Sequence, residues 1–433
     1  MIEELKNTAK KAIDALVNEG ADKASASVSK SITHEFNVDG GEFSLFRTLF
    51  DKKLVMECLK EGRKGTDSRN RYDDESIKDS AKSCMESAAS STPDEAWDIA
   101  PKGVNEDFVL GEIKPDTDRF FFRCRELVDD IKARFPQIML EQMIMSHKEV
   151  LSARANSNGV LFSTHQGSYQ VMLMFSGHEG DKASSFFVSQ AASYDLDKPF
   201  IELGSLAADL GNVEKQIETT PVQGKFEGTM VLMPSCTAEL VGALVSSFAS
   251  DTALLSGTSP WKDSLGEMVA DERVTISLAP LDERIVCGKR VTSEDFRAEN
   301  FDVIKDGRLN AFCMSLYGAN KLGLKRGGND SENLVIAPGD KSIEEIIASI
   351  DKGILVGRFS GGQPSSNGDF SGVAKNSFII ENGKIGFALS ETMISGNMAA
   401  MLKNLRAISK EQVADGSTVL PFMAFDGITI SGQ

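Results

Sequence analysis

From Ala24 to Ser68 apolar and polar residues alternate through long runs, interrupted at Gly40-Gly41 and Lys64-Gly65. A period of two does not suit a helix, whose faces recur every 3.6 residues. It suits a strand with one buried face, and glycine turns between such runs predict antiparallel hairpins. The pattern returns from Ile138 to Tyr194, where "NSNG", Gln166-Gly167 and glycine-rich stretches are read as the turns.

Three helices punctuate this half. Leu5, Ala9, Ala12, Ile13 and Leu16 form one stripe at helical spacing that ends at Gly20. "DESIKDSAKSCMESAASS" reads as a second helix, and "TDRFFFRCRELVDDIKARFPQ" as a third, stopped by Pro136. A chain of 433 residues exceeds one ordinary core. "TTPVQGKFEGTMVLMP" combines Pro221 with turn residues, so a boundary is expected there, giving domains 1–220 and 221–433. Beyond it lie a helix over 238–248, many short β-like runs, and helices in "SIEEIIASIDKG" and "NMAAMLKNLRAISKE". The expected fold class is α+β, with a mixed helix and antiparallel-sheet N-terminal domain and a strand-rich C-terminal domain.

Charge narrows the partners. With 47 basic against 64 acidic residues the formal net charge is −17, and no basic tract exists. Binding to nucleic acid or to an anionic membrane surface is therefore not expected. The first twenty residues lack the apolar stretch of a secretory signal, no window resembles a membrane span, and the six cysteines are widely spaced. These features fit reduced thiols in a cytoplasmic protein.

Candidate chemistry is sparse. His34, His147, His165 and His178 are scattered, and neither His34-Glu35 nor His178-Glu179 has a second histidine at ligand spacing, so no local metal motif exists. Cys236 falls at the start of the 238–248 helix, where amide groups favour a thiolate, and is either a nucleophile or a small buried residue. The run "AELVGA" places Glu239 after Ala238 and four residues before Ala243. By itself it reads as an apolar helix with Glu239 on its margin.

The flanking sequence adds a resemblance. "ARANSNGVLFS" and the block over 353–398 are similar to segments of the TldD/PmbA family, once called modulators of DNA gyrase. In that block the shared features are the Ser360-Gly361-Gly362 loop, the Asn367-Gly-Asp-Phe turn, "ENGKI" and "TMISGN". In the TldD branch the resemblance implies a metallopeptidase with a His-Glu-x-x-x-His helix and a cysteine ligand near the C-terminus. Those histidines fall on Ala238 and Ala243, only the general-base position Glu239 is filled, and "NLRAISKEQVADG" holds no cysteine.

That is the pattern of the PmbA, or TldE, branch. It implies a chain without metal or other cofactor, paired with a TldD-type subunit or with itself, acting on peptides or unfolded proteins. Gly361, Gly362, Asn367 and Asp369 are the expected lip of a peptide groove. Two other readings remain at this point: a metal-independent hydrolase using Cys236 or a serine, and a homodimeric peptide-binding scaffold.

Overall fold

The computed structural model describes residues 1–103, 105–361, 364–390 and 392–432. Its first sheet is built on four strands of 17 to 19 residues: Lys23–Asp39, Glu42–Lys60, Ile138–Asn156 and Leu161–Glu179. At about 3.3 Å per residue each runs roughly 60 Å. All neighbours among the four are antiparallel. Glu106–Leu110 and Phe187–Ser193 both pair with Leu161–Glu179.

The alternation read from sequence places its apolar set on one face. Val28, Met56 and Ala153 pack there against the helices Ile2–Asn18 and Asp74–Ser90. Farther along the same strands Val38, Met143 and Leu173 pack against Thr117–Arg134 and Leu206–Glu214. Asp73 and Asp116 cap two of these helices by accepting amide hydrogens of Ser76 and Arg119.

The second sheet runs from Thr219–Pro221 to Val419–Ser431 and has 14 strands among the described residues. At its centre Lys225–Leu232 lies between Lys352–Val356, parallel, and Val419–Ser431, antiparallel. It feeds the buried helix Pro234–Ala249, around which the largest core assembles. The architecture is α+β. Among the described residues no helix is long and apolar enough to cross a membrane.

Several local expectations are corrected. Lys64-Gly65 and Gln166-Gly167 are not turns; both glycines lie inside strands. A Cβ on Gly65 would sit 2.0 Å from the Cys84 carbonyl, and one on Gly167 1.8 Å from the Glu112 carbonyl, so these glycines admit neighbouring backbone. The helix in "NMAAMLKNLRAISKE" covers only Met398–Lys403. From Leu405 to Ala414 the chain is a strand on Val419–Ser431, because Ala407 and Ile408 continue the sheet core instead of the stripe of Met398, Met401 and Leu402. The helix expected at 238–248 begins at Pro234, and Leu206–Glu214 is a helix that was not anticipated.

The two sheets are bonded to each other. Gln216 donates to the Ser377 carbonyl at 2.9 Å, and Tyr317 and Lys321 both reach Asp94. The most buried link is Asp295, which accepts from Ser25 at 2.5 Å and pairs with Arg154 at 2.8 Å. Burial raises the Asp295 pKa above the usual carboxylate range, while Arg154 and Ser25 oppose that shift. Removing Arg154 strands this charge. We expect Arg154→Ala to lower unfolding stability by about 3 kcal/mol at neutral pH, measured by denaturant titration. Part of the loss should return on acidification, because a protonated Asp295 needs no cation.

Candidate functional site

The helix Pro234–Ala249 forms where it does for local reasons. Met233 holds an extended conformation, and Pro234 occupies the first turn, where its missing N–H leaves no bond unmade. Cys236, Leu240, Val241, Leu244 and Phe248 are buried on one side. Ala238 is half-buried at the margin, Glu239 is exposed, and Ala243 packs partly against the main core.

Ala238 opens on a cleft of about 310 Å³ between the two halves. Its walls include Gln190 from the first sheet, Asp209 from the short helix, and Val413 and Asp415 from the C-terminal segment. The structure therefore brings Ala238 together with the C-terminal part of "NLRAISKEQVADG". Ala243 does not line the cleft.

The cleft is polar, and its charge is unusual. Asp209 is buried, and its Oδ2 accepts from Ser189 at 2.6 Å and Ser205 at 2.7 Å. Desolvation outweighs both hydrogen bonds and pushes its pKa up to about 6. Asp415 Oδ1 accepts from the Ser417 and Thr418 amides, both at 2.7 Å. Glu239, exposed on the helix margin, does not line the cleft; partial loss of solvent raises its pKa, against the Phe359 backbone and the Arg358 charge. The Arg358 guanidinium lies 4.6 Å from the exposed Phe186 ring.

These donors do not fit zinc. The cleft offers carboxylates and hydroxyls without imidazole or thiolate, and one oxygen each of Asp209 and Asp415 already accepts two hydrogen bonds. Among the described residues no three His, Cys, Asp or Glu side chains converge as a metal site.

Cys236 does not have the exposed setting of the activated thiol considered from sequence. It is 1% exposed, and burial, with Glu239 nearby, drives its pKa well above the ordinary thiol value. The side chain points into the core, where lost hydration outweighs the helix-end amides.

The expected lip residues lie elsewhere. Gly361 pairs with Gly372, and a Cβ there would meet the Phe359 ring at 2.7 Å. Gly362 lies outside the described residues. Asn367 and Asn397 both donate to Asp369 at 2.9 Å, which holds its pKa below the usual carboxylate range. Asn397 also caps the Met398–Lys403 helix. Gly368, at φ +91°, packs on Phe248, near the far end of the Pro234–Ala249 helix. That is roughly 15 Å along the axis from Ala238. Asn367 and Asp369 thus clip a turn, and they do not share a cleft with Ala238.

Residues that the sequence reading did not single out do line it. Ser189, Gln190, Ser205, Asp209 and Asp415 come from three separated segments. A signal existed for one: Asp209 occupies the same apolar stripe as Leu206, Leu210 and Val213.

A strand edge without a further strand partner among the described residues borders the cleft. Within Phe187–Ser193 the Ala192 amide leaves the ladder and donates to the Asp415 carbonyl at 2.8 Å. Pairing with Leu161–Glu179 is regular, so Gln190 and Val188, of the same parity, also turn their backbone groups outward. Both side chains are exposed.

Comparison with known proteins agrees with this architecture. Residues 225–432 match the PmbA/TldA metallopeptidase C-terminal domain. The metalloprotease PmbA of Escherichia coli O157:H7 is 24% identical over 431 residues, covering 94% of this chain and 93% of that protein. The crystal structure of TldE from Thermococcus kodakarensis superimposes with a TM-score of 0.82 at 20% identity, covering 97% of this chain and all of the other. A Bacteroides thetaiotaomicron structure, described as a candidate modulator of DNA gyrase, gives a TM-score of 0.88 at 24% identity with both chains fully covered.

The Asp209 carboxyl yields a test. Its folded pKa is raised, so protonation favours the folded state. The wild type is penalised above about pH 6 and relieved as pH falls through that value. Asp209→Asn keeps an acceptor for the serines without the charge. It should stabilise the protein by up to about 2 kcal/mol at pH 7.5, and the gain should shrink below pH 5. Unfolding curves of both proteins across pH 4.5–8 check this.

Proposed function

The chain belongs to the PmbA/TldD family, and from its site chemistry we propose that it is the metal-free partner subunit of a TldD-type metallopeptidase. In this reading the partner cleaves, and this subunit helps to hold an extended peptide, within a cytoplasmic complex that matures peptides or degrades unfolded protein.

One observation carries the proposal. The cleft beside Ala238 keeps a shaped polar interior and a free backbone edge, while its donors suit no zinc ion. Backbone pairing along Val188–Ala192 would accept a peptide with little regard to side-chain sequence, as a processing subunit requires. Gly361, Asn367 and Asp369 serve in this proposal as an outer lip at the far end of the helix. Glu239 has no ligand-bearing neighbours with which to act as a general base, so it is assigned no catalytic step.

Affinity purification of the tagged chain from its own cell should recover a homologue bearing His-Glu-x-x-x-His. Recovery of no such homologue would remove the partner assignment. Alone, the chain should show no stoichiometric transition metal by elemental analysis and no cleavage of casein. Placing histidine at both Ala238 and Ala243 should not create activity, because the third ligand and its supporting shell are missing. Gln190→Pro deletes an outward N–H without touching the ladder. It should weaken binding of an unstructured peptide several-fold in fluorescence anisotropy while leaving the melting temperature nearly unchanged.

A further inference from the structure

The outer end of the first sheet carries a second unpartnered edge. Arg63–Arg69 pairs with Glu42–Lys60 only from Leu54 to Lys60. Residues 42–53 therefore have a neighbour on one side only among the described residues, the strand Lys23–Asp39. Such an edge normally carries charge or cover. This one carries Arg47, Asp51, Lys52 and Lys53, yet it also exposes Phe43 by 39%, Leu45 by 43%, Phe46 by 53%, Leu49 by 38% and Phe50 by 70%. Phe36 joins Phe46, at 4.6 Å between ring centres, to Phe121 at 5.4 Å, and Phe121 is itself 42% exposed.

We propose that this hairpin is a self-association surface, on which residues 45–53 pair antiparallel with the same residues of a second copy of the chain, across a two-fold axis at Leu49. The inference rests on the reading that this protein works through association, and it names the surface.

Three features select a second copy. A two-fold antiparallel pairing centred on Leu49 sets Arg47 opposite Asp51 of the other copy, and does so twice. Arg47 is half-exposed and bonded only to Glu35, and Asp51 is exposed with no ion pair among the described residues. The same register gathers Leu49 from both chains on the face of those charges, and Phe46 and Phe50 from both chains on the opposite face. The area is also sufficient. At about 200 Å² per whole phenylalanine, the exposed parts of Phe43, Phe46, Phe50 and Phe121 amount to roughly 400 Å² per chain. Two copies, with the backbone edge and the leucines added, exceed the roughly 1,000 Å² that a specific interface needs.

The test is charge reversal, with mass read by light scattering on size exclusion at about 10 µM. The wild type should elute with the mass of two chains. Arg47→Asp and Asp51→Arg should each weaken dimerisation at least tenfold, and the double variant should restore it. Leu49→Cys should crosslink two chains on mild oxidation. A monomeric wild type overturns the proposal. So does a dimer indifferent to both single reversals, or a double variant no better than the singles when circular dichroism shows all of them folded. Recovery of a His-Glu-x-x-x-His homologue is read in a separate experiment, so the partner-subunit reading survives or fails independently.

Discussion

Burial of the Pro234–Ala249 helix is the constraint on which the second half depends. Leu240, Val241, Leu244 and Phe248 are at most 1% exposed, and strands from both ends of the C-terminal half close over them. Each such side chain contributes about 2 kcal/mol on burial, so the stripe alone is comparable to the net stability of a domain. Ala238 and Ala243 lie outside this stripe, at its half-buried margin. Alanine is the best helix former, and at Ala238 and Ala243 it leaves the packing intact. The helix therefore forms and packs with alanine at both positions.

Much of the first half was legible because its signal is local. Alternation over seventeen or more residues admits few structures, and Gly40-Gly41, with φ of +57° and +79°, forms the turn it suggests. The misreadings share one cause. A glycine inside an alternating run looks like a turn, yet at Gly65 and Gly167 the missing side chain makes room for a helix or a loop. That need arises from tertiary contact, which no window of sequence displays. The helix lost after Lys403 is similar: "NLRAISKE" has acceptable helix formers, and pairing with Val419–Ser431 overrides them.

The site divides along the same line. Ala238 and Glu239 were found because their spacing is a motif. The cleft that Ala238 faces was invisible because Gln190, Asp209 and Asp415 are far apart in the chain. Asn367 and Asp369 stood out as sequence signature, but the hydrogen bonds through Asn397 give them a structural task that is sufficient to account for their chemistry. A signature marks what a fold needs as readily as what a ligand needs, and only geometry separates the two.

Asp209 bears on whether the cleft is a relic. A buried carboxylate whose pKa is pushed to about 6 costs stability at neutral pH, and its two serine donors do not offset that cost. An apolar residue or an asparagine would relieve it at no expense to the helix, whose stripe is completed by Leu206, Leu210 and Val213. Local rules broken without structural compensation are most often found where a protein contacts something else. Ala238 offers the cleft no ligand atom, whereas Asp209 sets a buried carboxyl against the same space. In the proposed peptide-holding role that charge has a use, since the amides of an extended chain would donate to Asp209 and pair with the outward edge at Gln190.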